Sequence, residues 1–424
     1  MISFKEYVNI LDKTTILQEG GLAGHMSHLY DNWDLSFKTL KQILTDAAQG
    51  KLYGTEKVDG INIYVSYSVK EGKAKAARNK DNIKQGGLDA QQLAAKFENR
   101  GHLKDAFIDA FDIFEKAVQS LSREQQTQIF GPDADIYYNA EIVDPRNANV
   151  LNYDKKTLLI HQVGHIFFDK QAGSIVDVDL DQNKKALDRA LQIMQDAIQD
   201  SEYQIITNAV KQLGGLSDNR ILNNTLNQIN QLQNDAGIND NQTIGDYVNA
   251  KITKFINTQL QKYGIVLSND QISALILRSL GKGGANITQI AKGLPKEMHQ
   301  LLKQISDEGI NLVKKIIFPL EEIIHNFAVE MLRGLQSVYI IDPVKEIKRI
   351  QKELSKSIQQ IQNSSNEAAH EILKKQLQKL KSVENFKSAI EGFVFNYDGH
   401  TYKFTGNFAP VNALMGLFRY SKVK

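Results

Sequence analysis

The chain has no cysteine among its 424 residues. That excludes disulfides, thiolate zinc sites and cysteine nucleophiles, and it suits an intracellular setting. Net charge is nearly absent too: 51 Lys and Arg stand against 49 Asp and Glu, leaving +2. Any nucleic-acid surface must therefore come from local clustering of charge rather than bulk basicity. No run approaches the ~20 apolar residues of a membrane span. The first segment, "MISFKEYVNILDKTTILQEGG", is broken by Lys5, Glu6, Asp12 and Lys13 and has no signal-peptide core. No repeat of fixed period is present. These absences predict a soluble, cytoplasmic protein with no membrane partner. Its length suits two or three domains, and its 42% hydrophobic and 24% charged residues are ordinary for a globular chain.

What is present divides the chain by character. Over 36–50, Phe37, Leu40, Ile43, Leu44 and Ala47 recur at helical spacing, with Ser36 as N-cap and Gly50 just past the end. In "INIYVSYSV" (61–69) the period becomes two. Ile61, Ile63, Val65 and Tyr67 share one face; Asn62, Tyr64, Ser66 and Ser68 share the other. "GKAKAARN" (72–79) is the expected hairpin partner, a helix is expected near 103–120, and strands at 136–143 and within 157–169. From about 183 to 385 the periodicity is mostly helical, rich in Gln, Asn, Leu, Ile and Lys. There, 345–362 and 366–385 read as a helical hairpin with Ile347, Ile350, Leu354, Ile358 and Ile361 as its seam. Strand alternation returns at 390–406, where Asp398-Gly399 is a hairpin-turn signal. Two β-rich parts, 1–182 and 386–424, thus bracket a helical insertion, 183–385.

The residues that can carry chemistry sit in the β-rich parts. Lys57 stands in "EKVDGIN". A free lysine, with a pKa of ~10.4, is almost wholly protonated near neutrality. An amine nucleophile therefore needs burial or nearby cations to lose its proton. Gly60 permits a tight turn and close approach of a ligand, and Asp59 can orient a donor or steady the turn. Arg78, at a strand end, can fork onto phosphate or ribose. Glu141 lies mid-strand in "YYNAEIV" with no obvious ionic partner, and Phe167 and Phe168 offer rings for stacking on a base. Glu391 opens "EGFVF", and Lys403 lies across the last hairpin in "YKFTG". Taken singly, each reads as structural: Lys57 as part of a surface turn, Phe167 or Phe168 as core, Arg78 as a solvated strand end. His25 and His28 have no third ligand in view and read as a loop or lid. "LGKGGAN" (280–286) lacks the phosphate-loop pattern and reads as a loop between helices.

Taken in order, "EKVDG" with Asn62, "ARN", "NAEI", "EGFVF" and "YKF" resemble the covalent nucleotidyltransferases. These are the ATP-dependent RNA and DNA ligases and the mRNA capping enzymes, and "EKVDGIN" is most similar to the bacteriophage RNA ligases. The resemblance covers the two β-rich parts and not 183–385. It implies an α+β fold: a nucleotidyltransferase (ATP-grasp-like ligase) core of antiparallel sheets holding ATP between them, with a large all-helical insertion. Only 18 residues follow Gly406, so no C-terminal OB barrel is expected. The resemblance also implies roles. Lys57 attacks the α-phosphorus of ATP to form lysyl-AMP. Glu56 lies against adenine, Asp59 and Gly60 belong to the nucleotide-binding motif, and Asn62 lies near the phosphates. Arg78 holds the ribose or a 5′-phosphate, Glu141 binds ribose hydroxyls, and Phe168 stacks on adenine. Glu391 helps hold Mg²⁺ or Mn²⁺, and Lys403 contacts the α-phosphate.

The implied function is joining of 5′-phosphate and 3′-hydroxyl ends of RNA, with nicked DNA as the second choice. The rival from another class is a non-catalytic scaffold that keeps the fold and binds nucleotide or nucleic acid. The final motif carries one lysine where the family usually has two flanking one residue. The basic hairpin 345–385, with Lys345, Lys348, Arg349 and Lys352 in its first half, can track phosphates or simply be a solvated face. A viral protein acting in the host cytoplasm fits the composition and the resemblance. One geometric expectation follows. A shared role for Glu391 and Lys403 needs both on one sheet face, hence a three-residue bulged loop, Asp398-Gly399-His400.

Overall fold

A computed structural model describes residues 27–58, 60–147, 155–161, 165–177, 181–208, 210–281, 286–333 and 390–406, with the single positions 335, 345, 348, 349 and 352. Asp59, His25 and nearly all of the 345–385 hairpin lie outside the described residues.

The first helix, α1 (Phe37–Ala48), forms where its stripe predicts. Ser36 Oγ accepts the Thr39 N–H at 3.1 Å, Gly50 follows the helix at φ 69°, and the predicted apolar face is buried. Ser36→Ala removes this cap and is expected to cost ~1 kcal/mol, read from the urea midpoint. After α1 come β1 (Tyr53–Lys57), β2 (Ile61–Ser68) and β3 (Lys73–Ala77), then α2 (Lys80–Lys84), α3 (Ala90–Lys96), α4 (His102–Gln119) and α5 (Arg123–Phe130). Next are β4 (Ile136–Val143), β5 (Lys156–His161), β6 (Ile166–Asp169), β7 (Ser174–Asp177), α6 (Asp181–Ala197), β8 (Tyr203–Asn208) and β9 (Lys211–Gln212). Five helices follow: α7 (Asn219–Ala236), α8 (Ile244–Lys262), α9 (Asn269–Ser279), α10 (Ile287–Ile290) and α11 (Lys296–Leu332). The hairpin β10 (Gly392–Tyr397) and β11 (His400–Thr405) completes the described chain.

The fold is α+β, built on two sheets. The larger runs β3-β2-β4-β5-β8, with β6 and β7 attached through β4; the smaller runs β11-β10-β1-β9. Every pairing is antiparallel except β5–β8. Period-two alternation decides what each face of the larger sheet does. Ile63, Val65, Tyr67, Tyr138, Ala140 and Ile160 pack on α4, α5 and α6. Asn62, Tyr64, Asn139, Glu141 and His161 look the other way, as the register Asn62↔Glu141 and Tyr64↔Asn139 requires. Phe393, Phe395, Tyr402 and Phe404 of the smaller sheet share one core with α1 and α7–α11. Phe327 of α11 meets Phe404 edge-on at 6.0 Å. Among the described residues no helix is long and apolar enough to cross a membrane.

Three expectations are corrected. The stretch from 183 is not all helical: β8 joins the larger sheet beside β5, and β9 pairs β1. The parallel pairing follows from α6, which carries the chain back across the sheet before β8. The single apolar run 157–169 is two strands in succession along β4: β5 pairs Ala140–Val143 and β6 pairs Ile136 and Tyr137, both antiparallel. The hairpin loop has two residues, not three: Tyr397 pairs His400, with Asp398 at φ 48° and Gly399 at φ 79°. Two positive φ values in a two-residue loop match the right-handed strand twist, so no bulge is needed.

Candidate active site

β1 of the smaller sheet ends at Lys57 and β2 of the larger begins at Ile61, so the end of one and the start of the other are only a few residues apart. Lys57 ends β1 opposite Gly392, the first residue of β10. Its ammonium meets Glu391 Oε1 at 2.5 Å, with the side chains 11% and 10% exposed. Gly392 makes room for this approach. A Cβ there would stand 2.4 Å from the Phe404 carbonyl oxygen and 3.4 Å from the Lys57 Cβ. Thr405 pairs with Gly392 and Lys403 with Val394, so Lys57, Lys403 and Thr405 share one sheet face. Glu391 stands one residue before β10. The three-residue bulged loop expected to bring it to the face of Lys403 is absent, and Glu391 reaches that face from outside the strand, through the Lys57 ammonium. Lys57 is the link instead: it shares its face with Lys403 and its ammonium bonds Glu391.

A buried polar relay holds the two sheets together behind Lys57. The Gly60 N–H donates to Glu141 Oε2 at 3.1 Å. Only glycine fits there, because a Cβ would lie 2.9 Å from that oxygen and 3.0 Å from the Ile142 carbonyl. Glu141 Oε1 lies 3.6 Å from His161 Nε2. Asn208 Nδ2 stands 3.3 Å from His161 Nδ1 and donates to the Glu56 carbonyl at 2.7 Å. One amide N–H thus goes to the backbone of β1 and the other to His161 Nδ1, which leaves the His161 Nε2–H directed at Glu141. Glu141, His161 and Asn208 are all buried. The expected mid-strand carboxylate therefore has a partner, one that sequence reading missed. The signal was present as a histidine closing an otherwise apolar strand, "TLLIH". Asn208→Ala leaves two buried acceptors without their donor and is expected to cost ~1–3 kcal/mol, measured by thermal melting.

The other predicted residues take separate places. Glu56 is buried 3.9 Å from Lys211, on the opposite side of β1 from Lys57 by alternation. The Asn62 amide donates to Asn139 Oδ1 at 2.6 Å. The Arg78 guanidinium donates to the Asn62 carbonyl and lies 5.4 Å over the Phe107 ring. Burial lowers its basicity below the usual range, and it makes no ion pair among the described residues. None of its contacts is to Lys57, Glu391 or Glu141. Phe168 packs with Tyr64, Tyr137 and Ile83. Tyr64 lines the Glu141 side of the larger sheet, so Phe168 shares that side.

His28, read from the sequence as part of a loop or lid, comes to the edge of the site. Its ring stacks on Tyr30 at 4.8 Å. Burial, then the charges of Lys403, His325 and Lys57, push its pKa down to about 3 from an ordinary 6.5. The folded state thus refuses a proton that the unfolded chain takes up below pH 6.5. Stability contributed by the neutral ring is complete above that pH and is lost as pH falls toward 3, by up to ~1.4 kcal/mol per unit. His28→Asn is expected to flatten this acid slope in urea midpoints measured from pH 6.5 to 4.5.

Among the described residues, no three His, Asp or Glu side chains gather into a ready-made metal cage. Lys57 and Lys403, both half-buried, lie on one sheet face, with Glu391 on the Lys57 ammonium and Glu141 on the Gly60 N–H. No family model, curated protein or solved structure matches this chain.

Proposed function

We propose that this chain is an ATP-dependent polynucleotide ligase of the covalent nucleotidyltransferase type, with RNA as its first substrate class and nicked DNA as its second. The observation that carries the reading is the Lys57–Glu391 pair, 2.5 Å apart and nearly buried, with Lys403 on the same sheet face. A carboxylate at that distance can take the lysine proton, which is what an amine nucleophile needs. The ordered resemblance in sequence supports the same reading.

The chemistry is as follows. The Lys57 ammonium gives one proton to Glu391, and its free amine attacks the α-phosphorus of ATP, its second proton leaving with pyrophosphate. A P–N bond forms, the bond from the α-phosphorus to the bridging oxygen breaks, and that oxygen leaves with its electron pair in pyrophosphate. A nucleic-acid 5′-phosphate then displaces Lys57 and takes the adenylyl group. Finally a 3′-hydroxyl attacks that 5′-phosphorus and releases AMP. Such reactions depend on positioning and charge neutralisation. Lys403 neutralises the α-phosphate, and Arg78 serves the ribose or the 5′-phosphate. Glu141 and Asn62 face the nucleotide from the larger sheet, with Phe168 on the same side as the ring for adenine. Mg²⁺ commonly binds one or two carboxylates plus substrate phosphates, so Glu391 fits as its protein ligand, where the ion would neutralise phosphate charge.

A scaffold that keeps the fold is the second reading, because a buried Lys–Glu pair can also serve as a structural staple. Incubation with α-labelled ATP and Mg²⁺ separates the two. Acid-stable label on the protein, transferred to a 5′-phosphorylated RNA end, is expected. No label with ATP, GTP or NAD would leave the scaffold.

A further inference from the structure

The N-terminal edge of the described chain adds to the site something the motif residues do not supply. Ser27 forms a parallel bridge with Tyr402, and its carbonyl accepts the Lys403 N–H at 3.1 Å. In a parallel pair, aligned residues share a face, and His28 is extended at φ −66° and ψ 158°. The register therefore carries the His28 side chain beside Lys403, on the face that also bears Lys57. The short turn Leu29–Asp31 then anchors the segment, with Leu29 wholly buried in the core shared by α11 and β11. Helix α11 packs against the Leu29–Asp31 turn and against β11, and His325 on it, with Lys403 and Lys57, acts on the His28 ring. Glu321, one helical turn earlier, and Asp31 act on neighbouring Tyr30.

We propose that His28 and His325, together with Lys403, form a phosphate subsite that receives the departing pyrophosphate of the nucleotide. This rests on the adenylation reading of Lys57 and extends it to the leaving group. The chemistry is direct. An imidazole fixed among lysines and a second histidine offers N–H donors to an anion where cationic charge already converges. The two histidines also supply, from the chain's edge and from α11, positive or donor groups that the final strand provides only once, at Lys403.

The test measures binding of inorganic pyrophosphate to the full chain by calorimetry, in the wild type, His28→Gln and His325→Gln. Each variant is expected to bind about tenfold more weakly while melting within a few degrees of wild type. Lys254→Gln, on the exposed face of α8, is the control expected to bind as wild type. Unchanged affinity in either folded histidine variant, or no binding by wild type, overturns the subsite. If His28→Gln fails to fold, His325→Gln decides alone. The labelling assay fails independently: pyrophosphate bound through His28 and His325 without Lys57 labelling keeps the subsite and removes the covalent reading.

Discussion

Lys57→Met is expected to abolish acid-stable labelling by α-labelled ATP, a loss of at least about a thousandfold, because the proposed P–N bond is to Lys57 Nζ. The same substitution is expected to be destabilising. Lys57 and Glu391 are 11% and 10% exposed, so the change leaves a buried carboxylate without its cation. Losing one partner of such a pair costs ~3–5 kcal/mol, whereas replacing both with apolar groups of similar size is often nearly neutral. The double variant Lys57→Met with Glu391→Leu is therefore expected to recover most of the stability and none of the label. Urea titration and labelling, run on the same three proteins, separate chemistry from structure. Label retained in either Lys57 variant would remove Lys57 as the nucleophile.

Gly54→Ala is the second large effect, and it acts through the backbone. A Cβ at this position in β1 would stand 2.0 Å from the Val394 carbonyl oxygen and 2.7 Å from the Phe393 ring. Neither can yield cheaply, since Val394 is paired with both Thr55 and Lys403 and Phe393 is buried. Relief requires β1 and β10 to separate, at a cost of ~3 kcal/mol. The register Gly54↔Phe395 through Lys57↔Gly392 would slip with them, so labelling is expected to fall in step with stability. Gly214→Ala is the matched control. Nothing lies within 4 Å of its added Cβ, and its effect is expected to stay within ~0.5 kcal/mol of wild type.

Where one face is buried against a partner, the sequence was legible. The stripe of α1 and the alternation of β2 each map onto buried faces. Asp398-Gly399 is legible for another reason, as the exposed turn of the last hairpin, although its loop has two residues where three were expected. β8 was not legible. "YQIITN" sits just after a strongly amphipathic helix and has the Gln and Asn content of its surroundings. Its strand character comes from pairing with β5, a partner more than 40 residues earlier that local pattern cannot reveal. The site divides in the same way. Lys57, Glu391 and Lys403 were found because their neighbours form quotable motifs. His161, Asn208, His28 and His325 were not, because each works through a contact with residues distant in sequence.

The Lys57–Glu391 contact spans 334 positions of the chain. On the ribosome, Lys57 emerges long before Glu391, Lys403 and the strand that receives β1 exist. Until then Lys57 has neither Glu391 nor β10 beside it, although β9 can already pair Tyr53 and Gly54 on the other edge of β1. Assembly of the Lys57–Glu391 pair is thus timed by translation of the last hairpin, and any chain released before residue 391 carries the lysine without its carboxylate.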